Sequence, residues 1–322
     1  ADLMQAKLWL GYLFNKPVGI LREASIAHEQ LARWDFGGQR TFLEAYLQLE
    51  AQFMNSWGFW SRFYLRDGAV STQALRGGPN MRLEGSKEIR YNVYTDESRP
   101  FVFGVGGSSE WSNDGISSSH GAGIEMTWRP SDALSLAFAP EYGKAVNNLQ
   151  WVTARETSGE GRFIAARINT SETRFVFRVN FAPTPNFTIQ YFGQPFISAG
   201  SYSRFKRISD PMNEVYEGRF TLFGSDELSL DEDENRYDVT ETETGVDAYS
   251  FGKPDFNVRE FRSNLVVRWE YLPGSTLFLV WSQDRASFMP SGTMSLSDDL
   301  RDLFRGPADN TFLLKVTYWL SL

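Results

Sequence analysis

Two histidines, His28 and His120, are the imidazole groups that this 322-residue chain offers for acid–base catalysis. Three serines, 117–119, come directly before His120, and a serine beside a histidine is the minimum arrangement of a nucleophilic hydrolase. Adjacent residues of a strand point to opposite faces, however, so this spacing does not by itself assemble a catalytic pair. We therefore predict a non-enzymatic protein and keep a hydrolase carried on a barrel as an alternative.

A strongly acidic stretch, Asp226 to Asp247, holds ten carboxylates and a single basic residue, Arg236, in a chain of net charge -8. Three of its residues have the spacing of the first three ligands of a calcium loop: Asp231, Asp233 and Asn235. Arg236 then stands where such a loop needs glycine, and Thr242 replaces the twelfth-position glutamate. We expect a solvated loop with little apolar surface, a weak calcium candidate and no cofactor.

The composition argues against several functional classes. The chain contains no cysteine, which removes disulfides, thiolate metal sites and a cysteine nucleophile. Outside the acidic stretch the charges almost balance, so no basic patch is left for nucleic acid. No phosphate loop, dinucleotide fingerprint or histidine-rich metal motif occurs. The remaining evidence for function is the alternation of apolar and polar side chains along the predicted strands.

The segment 256–284 gives the clearest structural signal. In its first part apolar and polar residues alternate, with Leu265 and Val267 on one face and Arg262 and Arg268 on the other. A proline–glycine pair then supplies a tight turn, and a second apolar run returns along the first. Such a hairpin separates two different environments. In an outer-membrane barrel these are the lipid and the lumen.

The same alternation recurs along most of the chain. It predicts paired strands over residues 40–53 and 57–66, 89–93 and 101–105, 124–128 and 134–138, and 175–181 and 187–191. Residues 8–14 and 20–34 are also predicted as strands, although 25–33 can equally be read as a helix. Closure with both termini in the periplasm requires an even number of strands, and we predict about 14, within a range of roughly 12–16.

Short turns alternate with long loops, as in barrels with short periplasmic turns and long external loops. The last segment, Thr311 to Leu322, resembles the C-terminal strand that the barrel assembly machinery recognises on outer-membrane proteins. We therefore predict an all-β fold, a single antiparallel transmembrane β-barrel over residues 1–322 in the bacterial outer membrane. Residues 197–255 are predicted to form a long acidic external loop or a loop insertion.

The charged faces of the strands supply the candidate lumen lining. Its members are Glu44, Glu50, Arg62, Arg66, Glu125, Arg129, Glu141, Arg174, Arg178, Arg262, Arg268 and Glu270. These residues either select ions or pair with one another and fill the interior. Since arginines outnumber acids in this set, an open pore is expected to favour anions. Strand number bears on the choice, because about eight strands leave a packed interior and about 16 leave a channel.

Three blocks of the chain resemble a known family: residues 75–79, 185–196 and 256–283. They look like the C-terminal barrel domain of unknown function in Bacteroidota-type surface proteins. In that family the barrel typically follows an N-terminal domain similar to family-nine carbohydrate-binding modules, and no catalytic residues are established. The resemblance implies the porin-like, membrane-embedded part of a carbohydrate-associated surface protein.

These observations combine into one functional hypothesis. We expect a non-enzymatic outer-membrane platform or passage that acts in transport or as a subunit of a larger complex. Its expected partners are outer-membrane lipid and lipopolysaccharide, the barrel assembly machinery during biogenesis, and other proteins of an outer-membrane complex. Besides the barrel-borne hydrolase, the competing interpretation is a soluble all-β domain that binds glycans.

Overall fold

The computed structural model describes residues 3–242 and 247–320. Its helices are a short 3-10 helix (Tyr216–Arg219) and α1 (Leu296–Arg305). Its strands, in chain order, are β1 (Met4–Phe14), β2 (Leu21–Trp34), β3 (Arg40–Phe53), β4 (Gly58–Arg66), β5 (Ala69–Ser71), β6 (Met81–Leu83), β7 (Ser86–Tyr94), β8 (Phe101–Ser112), β9 (Ser118–Ser131), β10 (Leu134–Thr157), β11 (Glu160–Thr184), β12 (Phe187–Ile208), β13 (Phe220–Leu222), β14 (Leu228–Asp231), β15 (Arg236–Val239), β16 (Tyr249–Gly252), β17 (Phe256–Leu272), β18 (Ser275–Met289) and β19 (Asp309–Thr317).

One large antiparallel sheet organises the molecule. Its strands follow the order β1-β2-β3-β4-β7-β8-β9-β10-β11-β12-β17-β18-β19, and β13 adds to the end of β12. A second sheet contains β14, β15 and β16, and β5 pairs with β6. Among the described residues β1 pairs only with β2 and β19 only with β18, so both edges of the large sheet are free. The all-β antiparallel class predicted from the sequence is confirmed.

Long-range pairing decides the segment that was ambiguous between helix and strand. Residues 25–33 lie within β2, and the helical alternative is therefore wrong. His28, for example, lies opposite Leu10 of β1 and Leu47 of β3. The backbone hydrogen-bonding groups of this segment are satisfied on both sides by neighbouring strands, which outweighs its local helical tendency.

The register gives the sheet two different faces. Residues directly opposite one another share a face, and on one face Leu47, Phe63 and Ile89 follow one another across β3, β4 and β7. On the other face Glu44 lies opposite Arg66. We call these the apolar face and the polar face. The apolar face stays accessible, since Phe177 is 40% exposed and Leu47 is equally so.

The two ends of the sheet also differ. The two-residue turns 185–186 and 273–274 lie at one end, called the short-turn end. The three longest connections, residues 67–85, 209–255 and 290–308, lie together at the opposite, long-loop end. This grouping agrees with the alternation of short and long connections in the sequence, although the two-residue turn 158–159 between β10 and β11 also lies at the long-loop end.

The sheet is strongly curved. The 67–85 connection meets the 209–255 connection, where the Arg82 amide donates to the Pro211 carbonyl at 2.9 Å and an Arg219 nitrogen lies 2.8 Å from a Glu84 oxygen. The strands β7 and β12 that flank these connections are five places apart in the sheet, about 24 Å if it were flat. Residues of seven strands, β4 and β7 to β12, line a single cavity, so the polar face is concave.

The predicted acidic loop, residues 197–255, is largely folded. Its first twelve residues continue β12, and β14, β15 and β16 form a small sheet that we call the cap. The cap buries Val239 and Phe251 against Ile164, Ala166 and Phe205 of β11 and β12. The expectation of little apolar surface was wrong because apolar residues alternate with the carboxylates in these short strands. Glu243 and Thr244 of this stretch, like the terminal Leu322, lie outside the described residues.

The connection after β18, expected as a loop, contains α1. This helix packs on the apolar face of β17 at the long-loop end, where the Phe304 and Phe261 rings meet edge to face at 5.0 Å. An Arg259 nitrogen lies 2.8 Å from an Asp299 oxygen, and both side chains are buried. Asp299 stands in the first turn of α1, where a negative charge is favourable. Within the described ranges no helix is long and apolar enough to cross a membrane.

Candidate functional site on the polar face

A cavity of about 930 Å³ runs along the polar face. Glycines form its floor on β8, β9 and β10, and larger polar and aromatic side chains stand on either side. Gly106 lies opposite Gly123, and Gly121 lies opposite both Ser108 and Gly143. The floor is therefore wide and almost free of side chains, which leaves room for a small polar molecule.

The floor glycines at 121 and 143 are not required by the backbone. A Cβ atom added at Gly121 would meet its nearest neighbour, the Ser108 hydroxyl oxygen, at 3.6 Å, and one added at Gly143 would meet the His120 carbonyl oxygen at 3.6 Å. Both distances are ordinary van der Waals contacts. The absence of side chains here thus widens the cavity and relieves no steric conflict.

Arg66 organises one wall of the polar face. Its guanidinium contacts carboxylates from three strands: Glu44 at 2.6 Å, Glu88 at 2.8 Å and Glu110 at 2.9 Å. The Ser86 hydroxyl donates to Glu110 at 2.7 Å. Such a network holds its charges in fixed positions and ties β3, β4, β7 and β8 together through their side chains.

Aromatic rings surround a second arginine on the same wall. The Arg62 guanidinium lies 4.6 Å from the centre of the Tyr46 ring and 5.2 Å from that of Trp60. It also donates a hydrogen bond to the Tyr64 hydroxyl at 2.9 Å. The ring faces stabilise the cation and restrict its movement toward the cavity.

The opposite wall repeats the pattern of paired charges. The Arg174 guanidinium contacts Glu141, with its Nε at 3.1 Å from a carboxylate oxygen. The Ser198 hydroxyl donates to Glu172 at 3.1 Å. The cavity thus lies between two walls whose charges are already partnered, and its own lining carries five glutamates against two arginines.

The twelve predicted lumen residues all belong to the polar face by the pairing register and strand alternation. Beyond the contacts already described, Arg268 lies 2.9 Å from Glu270, and Arg262 lies 3.4 Å from Glu260. Arg178 stacks over the Phe192 ring. Arg129 donates to main-chain carbonyls of the 95–100 turn at the short-turn end. These contacts favour the interpretation in which the charges brace the interior.

Sequence reasoning missed several cavity residues. Glu88, Glu110 and Trp60 were not singled out, because their importance depends on neighbouring strands. The glycine floor left a readable signal, since β8 and β9 carry glycine at alternate positions, 104 and 106 and then 121 and 123. Alternate glycines in strands remove side chains from one face only.

The two histidines lie on the apolar face, away from the cavity. His28 Nδ1 lies 3.0 Å from the Tyr46 carbonyl oxygen. His120 Nδ1 lies 3.1 Å from the hydroxyl of Ser109, its partner across β8 and β9, and the Trp111 ring packs against the imidazole. His120 therefore contacts a serine of the neighbouring strand, whereas the sequence had drawn attention to Ser117–Ser119.

The calcium candidates occupy the hairpin turn between β14 and β15. The Asp231 carboxylate accepts the Glu234 amide at 3.0 Å, and Asn235 adopts the left-handed conformation with φ 50°. Across residues 3–242 and 247–320, no three acidic, histidine or cysteine side chains come together as a metal site. Asp231, Asp233 and Asn235 thus act as turn residues in this structure.

One carboxylate of the acidic stretch has a different environment. The Glu241 side chain has 0% exposure and lies between two arginines, contacting Arg207 directly and Arg162 at 3.4 Å. The Tyr249 hydroxyl donates to it at 2.7 Å. Burial, together with this hydrogen bond to a carboxylate, raises the pKa of Tyr249 well above its ordinary value. This cluster fastens the cap to β11 and β12.

Comparison with known proteins places the chain in a family. No curated protein matches the sequence. A family model described as a domain of unknown function, DUF5916, matches residues 1–322, which is the whole chain. The chain therefore belongs to the DUF5916 family.

Proposed function

We propose that this chain forms the wall of a β-barrel in the bacterial outer membrane, and that its polar face lines a passage for small polar solutes. The observation that carries the proposal is the accessible apolar face. Large apolar side chains on that face remain exposed in strands from β1 to β19, with Val316 at 59%. A soluble domain rarely leaves an apolar surface of this extent open to water.

The small number of buried apolar residues also supports a membrane environment for the apolar face. Among the described residues, the contiguous cluster of buried apolar side chains has five members, all where the cap meets β11 and β12. A soluble sandwich of this length would bury the apolar face of its main sheet against a second layer. Here the second layer over that face would be lipid, which contacts apolar side chains without requiring a protein partner.

Aromatic residues on the apolar face have the spacing of the two interfaces of a membrane. In β8, Phe101 lies at the short-turn end and Trp111 at the long-loop end, on the same face. Ten residues at about 3.3 Å each span about 33 Å along the strand. With a strand tilt of about 40°, this corresponds to a height of about 25 Å, the thickness of the apolar band of such barrels.

The first test of the proposal is the environment of the apolar face. Spin labels on cysteines introduced at Leu47, Phe177, Val267 and Val316 should be quenched by lipid-soluble oxygen in bilayers, because these side chains face acyl chains. The chain has no native cysteine, so each label reports one site. A label at Ser108, in the cavity, should respond to a water-soluble nickel chelate instead. Quenching of the first four by the chelate would contradict the barrel.

The charges of the cavity predict the ion selectivity that planar-bilayer recording would measure. The cavity lining holds five glutamates and two arginines, and Arg66 beside it contacts two of those glutamates, Glu88 and Glu110. Because a negative balance remains, conducted ions should be mainly cations. This reverses the anion preference expected from the sequence, where the paired arginines were counted as free. A reversal potential of the anion-selective sign under a salt gradient would contradict the assignment of the cavity as the constriction.

Filling the cavity floor should reduce the conductance. Gly121→Leu places a side chain in the open space above the floor, and we expect at least a twofold loss of single-channel conductance. The matched control is Ser118→Leu in the same strand, which points to the apolar face outside the cavity lining and should leave conductance unchanged. Equal conductance in Gly121→Leu and the parent would show that ions take another route.

The biological setting rests on the resemblance and on the barrel itself. A Bacteroidota-type surface protein with an N-terminal carbohydrate-binding-like domain remains a prediction of the resemblance. Lipid, lipopolysaccharide and the barrel assembly machinery are the partners that an outer-membrane barrel requires. The platform role fits the long-loop end, where the cap and the 67–85 connection form a folded surface for other proteins.

A second candidate function, ester hydrolysis, has one observation in its favour. His120 contacts the Ser109 hydroxyl on the apolar face, where a membrane lipid would be within reach. If this pair is catalytic, Ser109→Ala and His120→Ala should each abolish hydrolysis of a phospholipid in mixed micelles. Hydrolysis that is absent from the parent, or that both variants retain at the parent's rate, would contradict a catalytic role of this pair.

A further inference from the structure

A second cavity lies on the apolar face near the long-loop end, as a groove of about 930 Å³. Its floor is made of apolar-face residues of β8 to β11, among them Val105, Ile124, Pro140 and Phe175. Its outer wall is the segment 292–296, which connects β18 to the start of α1. The volume lies in the range of pockets that bind small molecules, about 300–1,000 Å³. The groove therefore has room for part of a molecule that lies against the outside of the sheet.

The segment 292–296 is held against the sheet, so the wall of the groove is fixed. The Asn257 side chain donates to the Thr293 carbonyl at 2.8 Å. A Cβ atom added at Gly292 would lie 2.6 Å from the Cα atom of Ser201. The backbone of the segment thus passes directly over β12, with no space for a side chain at that point. The groove is a preformed part of the fold, as ligand pockets usually are.

Among the described residues that line the groove, Lys144 is the basic one. It lies at the end of the floor toward the long loops. Across the sheet it is opposite His120, and His120 is opposite Ser109. Ser109 comes two residues before Trp111, which marks the membrane interface at this end of the proposed barrel. The Lys144 ammonium, whose Nζ lies 5.7 Å from the centre of the Tyr142 ring, thus stands where lipid headgroups begin.

At the height of the apolar band, the described residues of β8 to β12 place no carboxylate beside Lys144 on the apolar face. Between the registers of Phe101 and Trp111 these strands contain four carboxylates, and all four belong to the polar face: Glu110, Glu125, Glu141 and Glu172. The three carboxylates of α1, beyond the wall, already contact arginines. An uncompensated cation on a lipid-facing surface is costly, so it indicates an anion supplied from outside the chain.

Hydroxyl groups surround the same end of the groove. Ser171 of β11 lies opposite Lys144, and Thr173 follows on the same face. Both residues line the groove. Further toward the short-turn end the floor is apolar, at the level of Pro140. The groove therefore offers a cation and hydroxyl donors near the interface and an apolar surface toward the middle of the band, which suits an amphipathic molecule with an anionic headgroup.

We propose that the groove binds one molecule of lipid A, the phosphate-bearing glycolipid of the outer membrane, with an acyl chain along the floor and a phosphate at Lys144. The inference rests on the proposed barrel, in which the long loops are external and this end of the apolar face meets the outer leaflet. The acyl chain fills the space between the floor and the segment 292–296. The phosphate supplies the anion that the apolar face lacks.

A fluorescent label on Thr293→Cys, at the rim of the groove, measures binding of purified lipid A to the full chain in phosphatidylcholine vesicles. The chain has no native cysteine, so the label reports this site. We expect a saturable change in emission as the lipid A content rises. Lys144→Gln should raise the half-saturating content by about tenfold or more, because the phosphate loses its cation, and Lys144→Arg should stay within about threefold of the parent.

Lys87→Gln is the matched control. Lys87 lies on the apolar face opposite Trp111 and is exposed, but it does not line the groove. Its replacement removes the same charge near the same interface, so the half-saturating content should change by less than about twofold. Ala122→Phe fills the floor and leaves Lys144 in place, and it should weaken lipid A binding as strongly as Lys144→Gln does.

Equal half-saturation in Lys144→Gln and the parent, or no saturable change with lipid A, would overturn the proposal. The same response to phosphatidylglycerol at equal content would assign the groove to any anionic phospholipid and overturn the choice of lipid A. A label signal that depends on protein concentration without lipid A would assign the groove to a second copy of the chain instead. None of these results alters the oxygen quenching of labels at Leu47 and Phe177, so failure of the lipid site is distinguishable from failure of the barrel.

Discussion

Replacing Glu241 with alanine is expected to destabilise the cap by about 3–5 kcal/mol, because it removes a fully buried carboxylate that the guanidinium groups of two partly buried arginines contact. Arg162 and Arg207 both contact Glu241 in the structure, and neither lies in the cap itself. The loss should appear as faster hydrogen exchange of the β15 and β16 amides, while the amides of the large sheet keep their protection. The free energy of cap opening is obtained from the ratio of exchange rates.

Two further variants test whether the loss of stability is specific to the buried Glu241 carboxylate or follows from removing any carboxylate of the acidic stretch. Glu234→Ala removes an exposed carboxylate that lies 4.0 Å from Arg236, and it should change the opening free energy by no more than about 0.5 kcal/mol. Glu241→Gln retains an acceptor for the Tyr249 hydroxyl and should fall between Glu234→Ala and Glu241→Ala. Equal protection of the cap in Glu241→Ala and Glu234→Ala would show that other contacts, such as that of Arg162 with Glu160, hold the cap without Glu241.

The special position of Glu241 could not be read from the sequence. Within the acidic stretch it looks like nine other carboxylates, and its burial depends on arginines that arrive from β11 and β12. The same limit applies to Arg66, whose partners Glu88 and Glu110 lie on strands further along the sheet. Long-range pairing creates such networks, and local spacing carries no record of it.

The strands, in contrast, could be predicted from the sequence because the alternation of apolar and polar residues is a local property. The hairpin of β17 and β18 was predicted with its turn and with Leu265 and Val267 on one face, and the register confirms this arrangement. The lengths of β10, β11 and β12 were underestimated. The halves of these strands near the long-loop end include polar runs such as 169–174. These runs remain in strands because both neighbouring strands supply backbone hydrogen-bond partners.

The second large effect is expected at Val267 of β17, and the adjacent Val266, on the opposite face, provides the comparison. Val267 lies on the apolar face opposite Leu279, between the levels of Trp269 and Trp281. Arginine at this position would place a charge among acyl chains, and we expect Val267→Arg to lower the free energy of unfolding by about 2–4 kcal/mol. Reversible unfolding in guanidinium with the protein in lipid vesicles, followed by tryptophan fluorescence, measures the change.

Val266→Arg provides the matched control, since it has the same chemistry one residue away. Val266 lies on the polar face opposite Gln190 and Val280, two residues from Arg268 on the same face. Arginine there should cost less than about 1 kcal/mol, because lumen substitutions meet water and counter-charges. A soluble sandwich would behave in another way: Val267 would be a core residue, and even Val267→Ala would then be destabilising, because it removes buried apolar atoms and leaves a cavity. Comparable losses for Val266→Arg and Val267→Arg would contradict a sheet whose two faces meet lipid and water.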